Sequence, residues 1–418
     1  MNVKEYIEQM ALQAKDASRI VAGLSTSKKN NCLERVAKIL EHETQSIITA
    51  NQKDLENARQ MKLSPAMMDR LELNEKRIQS MAEGVRTIAS LDDPVGIIEK
   101  AWERPNGLRI KKVRCPIGVI GIIYESRPNV TVDAAALCFK AGSAVILKGG
   151  KESFETNMHL KNLMSQALES EDVPRAAIQI VETTDREAVQ HMLRQNQSID
   201  LIIPRGGEAL IRAVSENSLI PVIKHYKGVC HVYVDCEAGL DMAKDIVINA
   251  KVQRPGVCNA METLLIHESL ADTFLPQIVH ALRDKNVLVK GCSKTCEKIK
   301  DAEKATEDDW YEEYLDLILS VKLVRDTKEA VDHINHYGSG HSDAIVTENV
   351  QNAAYFLREV DSSSVYHNCS TRFTDGYEFG FGAEMGISTD KIHARGPMGL
   401  PELTTYKYVV EGNGQIRQ

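Results

Sequence analysis

Apolar residues recur at steps of three and four through residues 1–90. Val3, Ile7, Met10, Ala14, Ala17 and Val21 share one helical face. STSKKN (Ser25–Asn30) breaks that run and offers a cap, after which Leu33, Val36, Ala37 and Leu40 resume it. Pro65, in LSPAMMDRL, suits the first turn of a further helix. Asp92-Asp93-Pro94 closes the helical region. The period then changes to two, in stretches on either side of Pro105-Asn106-Gly107, which predicts a β-hairpin. From 113 to about 228, short apolar runs (IGVIGIIY, SAVILKGG, AIQIVE, IDLIIPRG) alternate with helical stretches (NVTVDAAALCFKAG, ESFETNMHLKNLMSQALESE, DREAVQHMLRQ, GEALIRAVSEN). Such alternation predicts a parallel sheet covered on both faces. A second α/β set is expected from about 229 to 400. The C-terminal LTTYKYVV alternates as a strand with no evident partner in the chain, so with the hairpin it predicts a sheet shared between subunits.

Composition narrows the class. The 418 residues are 43% hydrophobic and 26% charged, the balance of a globular chain with room for two or three domains. A net charge of -8 argues against nucleic acid or an anionic membrane as partner, but leaves room for a local basic pocket around a phosphorylated ligand. MNVKEYIEQM has no apolar core, so no signal peptide is expected, and the longest apolar stretch, Pro116–Tyr124, is too short to span a bilayer. Nine scattered cysteines, an odd number, suit a reducing, cytoplasmic setting. Cys292 and Cys296 lack a matching His/Cys pair, so no metal site is expected.

Two turns suit a nucleotide. A strand ends at Lys148 and is followed by Gly149, Gly150 and Lys151; another ends in IIPRGG, with Arg205, Gly206 and Gly207 before a helix. Ligands of open α/β sheets sit beyond the carboxyl ends of strands, and a helix N-terminus offers free N–H groups to phosphate. Neither turn is a Walker loop or the dinucleotide fingerprint. Cys258 sits where VQRPGVC meets a buried strand. Most lone cysteines are core residues, but Arg254 and the irregular Pro255-Gly256 bend favour a thiolate here. HINHYGSGHSDAI (His333–Ile345) reads as a helix end and tight turn shaping a pocket rather than as a metal site. Glu378–Val410, glycine-rich and carrying Arg395, reads as an ordered functional loop.

The order of these features resembles the aldehyde dehydrogenase superfamily. VRDTKEAVDHINHYGSGHSDAI, YESRPNVTVDAA and VQRPGVCNAMETLL resemble its γ-glutamyl phosphate-reducing branch, over essentially the whole chain. The resemblance implies two parallel-sheet α/β domains plus a small β oligomerisation hairpin. Residues 1–97 and 113–228 would bind NADPH, 229–401 would carry catalysis, and 98–112 and 402–418 would join subunits into a homodimer or homotetramer. It implies that Cys258 attacks L-glutamyl 5-phosphate, that phosphate leaves, and that hydride from NADPH reduces the thioester to glutamate 5-semialdehyde, the second step of proline biosynthesis.

Three departures from oxidising relatives bear on that reading. Where NAD-using relatives carry a glutamate three residues after the strand-end lysine, this chain has Lys151, which suits the 2′-phosphate of NADPH. Where they carry a water-activating glutamate, it has His225. Where they carry the asparagine oxyanion donor, it has Ser126, with Asn129 close by. Glu313 aligns with the glutamate on the nicotinamide ribose. Arg127, Arg254, Arg395 and His225 are candidates for the substrate's carboxylate or phosphate. An acid-forming aldehyde dehydrogenase and a cysteine hydrolase pairing Cys258 with His225 stand as alternatives. Contact with glutamate 5-kinase, for channelling, is left open.

Overall fold

The computed structural model describes residues 2–125 and 127–417. The chain forms two compact units. The first runs to Lys224 and also takes Gly380–Gly386 and the chain from Met398 onward; the second holds His225–Phe379 and Ile387–Pro397. The single 229–401 stretch expected from sequence is therefore divided, because the glycine-rich segment leaves the second unit at Gly380 and again at Met398.

In the first unit, five helices come first: α1 (Val3–Ala22), α2 (Thr26–His42), α3 (Thr44–Gln60), α4 (Pro65–Leu71) and α5 (Glu75–Ser90). Ser25 caps α2 by accepting from the Lys28 N–H, and Pro65 opens α4. The apolar stripe of α1 packs Ile7, Met10, Ala11 and Ala14 against Val119, Ile123, Ile146 and Ile202 of a sheet. That sheet belongs to the run β3 (Val119–Tyr124), α6 (Pro128–Lys140), β4 (Ala144–Lys148), α7 (Phe154–Glu169), β5 (Ile178–Ile180), α8 (Glu187–Met192), β6 (Leu201–Arg205) and α9 (Glu208–Asn217). Its order is β5-β4-β3-β6 and its neighbours are parallel. The chain steps outward from β3 to β5 and then returns to the other side of β3, so the β3/β6 junction is a topological switch point.

The hairpin β1 (Ile98–Glu103) and β2 (Arg109–Pro116) forms at Pro105-Asn106-Gly107. The C-terminal strand, Thr404–Glu411, corrects the expectation that it lacks a partner in the chain: it pairs antiparallel with β2 from Thr404↔Pro116 to Glu411↔Arg109. A three-stranded sheet within one chain satisfies its ladder, and sequence alternation alone could not reveal a partner so distant along the chain.

The second unit contains β7 (Cys230–Val234), α10 (Leu240–Val252), β8 (Met261–His267), α11 (Phe274–Arg283), β9 (Leu288–Gly291), α12 (Ser293–Lys298), β10 (Glu303–Lys304), β11 (Ile318–Val324), α13 (Thr327–Tyr337), β12 (Ser342–Val346), α14 (Val350–Glu359) and β13 (Ser364–His367). These strands form one parallel sheet in the order β10-β9-β11-β8-β7-β12-β13. Residues of β7, β8 and β12 are almost all buried, as near-continuous apolar runs in a doubly covered sheet must be. No helix among the described residues is long and apolar enough to cross a membrane.

Candidate functional site

Cys258 lies at the amino end of β8, not at a carboxyl end. Helix α10 stops at Val252 because Pro255 has no N–H to continue it. A turn follows, closed by the Ala260 N–H donating to Val257 O at 3.0 Å, with Cys258 and Asn259 at its centre. The thiol is half-buried. Segments that enter neighbouring strands crowd this turn. The Cys230 thiol, at the start of β7, donates to Cys258 O at 3.2 Å. Gly228 lies directly against Cys258: a Cβ there would stand 2.6 Å from both the Cys258 Cα and its carbonyl carbon. The segment after β13 laces the other side. Thr371 Oγ1 donates to Asn259 O at 2.7 Å, Asn259 Nδ2 donates to Thr374 O at 2.8 Å, and Arg372 Nε donates to Gln253 Oε1 at 2.8 Å.

A buried ion pair ties the turn's two ends together. Lys251, in the last turn of α10, meets Glu262, in β8, at 2.5 Å, with both side chains sealed from solvent. The other Glu262 oxygen accepts the Leu315 N–H at 3.3 Å. Burial pushes Glu262 up to about 7 and pushes Lys251 down, while their mutual attraction opposes both shifts. The negative charge of nearby Glu313 adds to the rise of Glu262, while the Leu315 N–H, two residues on from Glu313, ties that segment to the same carboxylate.

The histidines of the 333–345 segment separate. His336 is exposed and shares a hydrogen bond with Tyr311. His333 is buried edge-on to Trp310 and His231, and His341 is buried edge-on to half-buried His225 at 5.8 Å. His225 Nδ1 lies 2.8 Å from Ile387 O. Burial drives His341 down to about 3 and His333 down to about 2. Rings held neutral in the fold bind protons sooner when unfolded, so the unfolded chain gains protons first as pH falls. The stability they contribute is complete above about pH 6.5 and is lost as pH falls from there toward their folded values. The raised carboxyl of Glu262 works in the opposite sense over this range, so the histidine share is read by comparison. Between about pH 7 and about pH 5 the wild type should lose more of its denaturant midpoint than His333→Gln/His341→Gln; an equal loss in both would contradict this.

In the first unit, the nucleotide turns lie at carboxyl ends of β4 and β6. A Cβ on Gly149 would collide with the buried Asn157 side chain and crowd the Tyr124 ring, whereas one on Gly150 would meet only the movable end of Glu152. Lys148 is buried and donates to Gly149 O at 3.0 Å; burial lowers its pKa, and Glu152 and Asp185 oppose that shift. Lys151 is exposed. Gly207 caps α9, and a Cβ there would meet open space, yet its N–H already donates to Glu125 Oε2 at 3.0 Å. That helix terminus is thus capped by a carboxylate from the end of β3, which the expectation of a free phosphate site did not foresee. Arg205 ends β6 and packs against Gly386.

Of the remaining candidates, Ser126 lies outside the described residues. Asn129 is exposed on α6 and reaches Asp133 at 3.4 Å, and Arg127 is the exposed residue before that helix. Arg254 is exposed beside the Cys258 turn, and its charge acts on Arg372. Arg395 donates to Asp361 Oδ1 at 2.8 Å and to Asp361 O at 2.9 Å, an ion pair that holds its guanidinium. Gly228, Lys251, Glu262 and Arg372 were not singled out from sequence; nothing in KGVC or STRF marks them until the strand ends converge. Among the described residues, no group of three or more His, Cys, Asp or Glu side chains could hold a metal ion.

The aldehyde dehydrogenase family model matches residues 2–291 and 304–409. The chain is 57% identical over 418 residues to gamma-glutamyl phosphate reductase of Moorella thermoacetica, covering 100% of both chains. It is 59% identical over 408 residues to that of Carboxydothermus hydrogenoformans, covering 98% of each. A crystal structure of gamma-glutamyl phosphate reductase from Thermotoga maritima superposes with a TM-score of 0.97 at 46% identity, covering 99% of this chain and 100% of that one.

Proposed function

The chain belongs to the aldehyde dehydrogenase family, among its gamma-glutamyl phosphate reductases, and from that premise we propose that it reduces L-glutamyl 5-phosphate to L-glutamate 5-semialdehyde with NADPH, through a thioester on Cys258. One observation carries the chemical reading: a half-buried thiol at the tip of a turn braced from both flanks, with the Arg254 and Arg372 guanidiniums beside it. A residue that only filled a core would need no such bracing.

The Cys258 thiolate forms a sulfur–carbon bond with the acyl carbon as the carbon–oxygen bond to phosphate breaks. Phosphate leaves with the electron pair, and no strong general acid is required. The Cys258 N–H would serve as one oxyanion donor, and the family resemblance makes Asn129 or Ser126 the candidate side-chain donor. His225 takes the position where oxidising relatives activate water, which suits a thioester that must outlast hydrolysis. Lys148, Gly149, Gly150, Lys151, Arg205, Gly206 and Gly207 would hold the dinucleotide and Glu313 its nicotinamide ribose; the clear space over Gly207 and the absence of a side chain at Gly149 fit such a ligand. NADPH held there would supply the hydride needed to take the thioester to the aldehyde.

Exchanging Lys151 for glutamate should erode the NADPH-over-NADH preference in kcat/KM; an unchanged ratio would remove Lys151 from cofactor choice. We also propose a cytoplasmic homodimer or homotetramer acting in proline biosynthesis. The exposed Tyr406, Tyr408 and Val410 on the three-stranded sheet support self-association. The reaction itself is tested in reverse. With semialdehyde and NADP, steady NADPH formation should require inorganic phosphate; steady formation without phosphate would favour an aldehyde-oxidising enzyme.

A further inference from the structure

We propose that Arg372, acting with Arg254, seats the phosphate group of the acyl phosphate and takes up the charge that develops as it leaves. This rests on the reading of Cys258 as the acylated nucleophile.

The segment carrying Arg372 is fixed to both flanks of the Cys258 turn. Its Nε donates to Gln253 Oε1 at 2.8 Å, on the side before the cysteine. Its carbonyl accepts from Asn259 Nδ2 at 3.4 Å, on the side after it, and the adjoining Thr371 Oγ1 and Thr374 O bond to the same asparagine. Gln253 holds one edge of the guanidinium and so sets its plane. Arg372 is half-buried, whereas Arg254 is exposed beside it. Burial lowers the Arg372 pKa first and the like charge of Arg254 lowers it next; Cys258, Asp375 and Cys230 pull the other way. The charges acting most on Arg372 thus include a second guanidinium and the Asp375 carboxylate, and an incoming dianion would offset the like-charge repulsion between the two arginines.

Position selects phosphate over the substrate's α-carboxylate. The phosphorus is one oxygen removed from the carbon that Cys258 attacks, whereas the α-carboxylate is the length of the glutamyl side chain away. A guanidinium fixed beside the Cys258 turn, through Gln253 on one flank and Asn259 on the other, therefore lies nearer the leaving-group end than the α-carboxylate end. In the forward step the sulfur–carbon bond forms and the carbon–oxygen bond breaks. The phosphate departs with an added negative charge and takes a proton from solvent. In the reverse step, phosphate attacks the thioester and the thiolate leaves. Arg372 stabilises the same charge in both directions, as a planar fork suits a phosphate.

The test uses the reverse reaction with inorganic phosphate as the probe. Arg372→Gln should raise the KM for phosphate about 10- to 100-fold, as expected for losing a charge-assisted hydrogen bond, with the KM values for semialdehyde and NADP unchanged. Arg372→Lys should recover part of the loss. A second readout needs no turnover: phosphate should protect Cys258 of the wild type from iodoacetamide but not Cys258 of Arg372→Gln. An unchanged phosphate KM, equal protection in both proteins, or a rise in the semialdehyde KM instead would overturn the assignment. Steady NADPH formation by the wild type without phosphate would defeat the functional reading. Protection lost specifically in the variant would still sustain the phosphate seat.

Discussion

Gly228→Ala is expected to cut turnover by about 100-fold or more while the protein stays folded, because displacing a reacting group by about an ångström costs that much. An alanine Cβ at position 228 would stand 2.6 Å from the Cα and the carbonyl carbon of Cys258, closer than real carbon atoms approach. The obstruction is backbone, so no side-chain rotation relieves it. Either the Cys258 turn or the strand entry at Gly228 must shift, and the Cys230 thiol contact to Cys258 O shifts with it. Both segments precede the amino ends of the central strands β7 and β8, outside their buried runs, so the strain falls on the nucleophile more than on the core. Steady-state kinetics with circular dichroism and thermal unfolding would check this. Near wild-type turnover would mean that the position of Cys258 is not critical.

The Lys251–Glu262 pair carries the second large effect. Glu262→Ala should destabilise the fold by about 3–5 kcal/mol, since it strands a buried ammonium with no counter-charge. The volume-matched double variant Lys251→Met/Glu262→Leu should recover most of that stability, because apolar packing replaces a pair whose desolvation was itself costly. Activity should not follow stability. The double variant loses the Leu315 N–H contact to Glu262, and with it the brace between the Cys258 turn and the Glu313 segment. Urea midpoints and turnover for the single and double variants separate the two effects. Recovery of both together would reduce the pair to a stabilising element.

Period and punctuation in the sequence marked a helical start, the first parallel sheet and the hairpin, because those elements depend on local burial patterns, but resolved only three of the five helices of residues 1–90 and gave the second α/β set only as a region. Ser25, Pro65 and Pro105-Asn106-Gly107 mark boundaries through their own backbone and side-chain chemistry. Long-range pairing was not legible. The strand Thr404–Glu411 reads as an orphan until it meets β2, and the division at Gly380 and Met398 follows from contacts rather than composition. Cys258 could be singled out from Arg254, Pro255 and Gly256, its neighbours in sequence. Gly228 and Arg372 act on it only across strand entries, and no spacing rule connects them; Glu262, though close in sequence, reveals its role only once it meets Lys251. Glu125 likewise reaches the Gly207 N–H only because β3 and β6 are adjacent.

The covalent step can be observed directly by mixing the enzyme with semialdehyde and NADP in the absence of phosphate and following both NADPH and the mass of the Cys258 peptide. The expected result is a single stoichiometric burst of NADPH with a glutamyl adduct on Cys258, and continuous turnover only when phosphate is added. Continuous NADPH formation without phosphate, or a burst with Cys258 unmodified, would contradict the account.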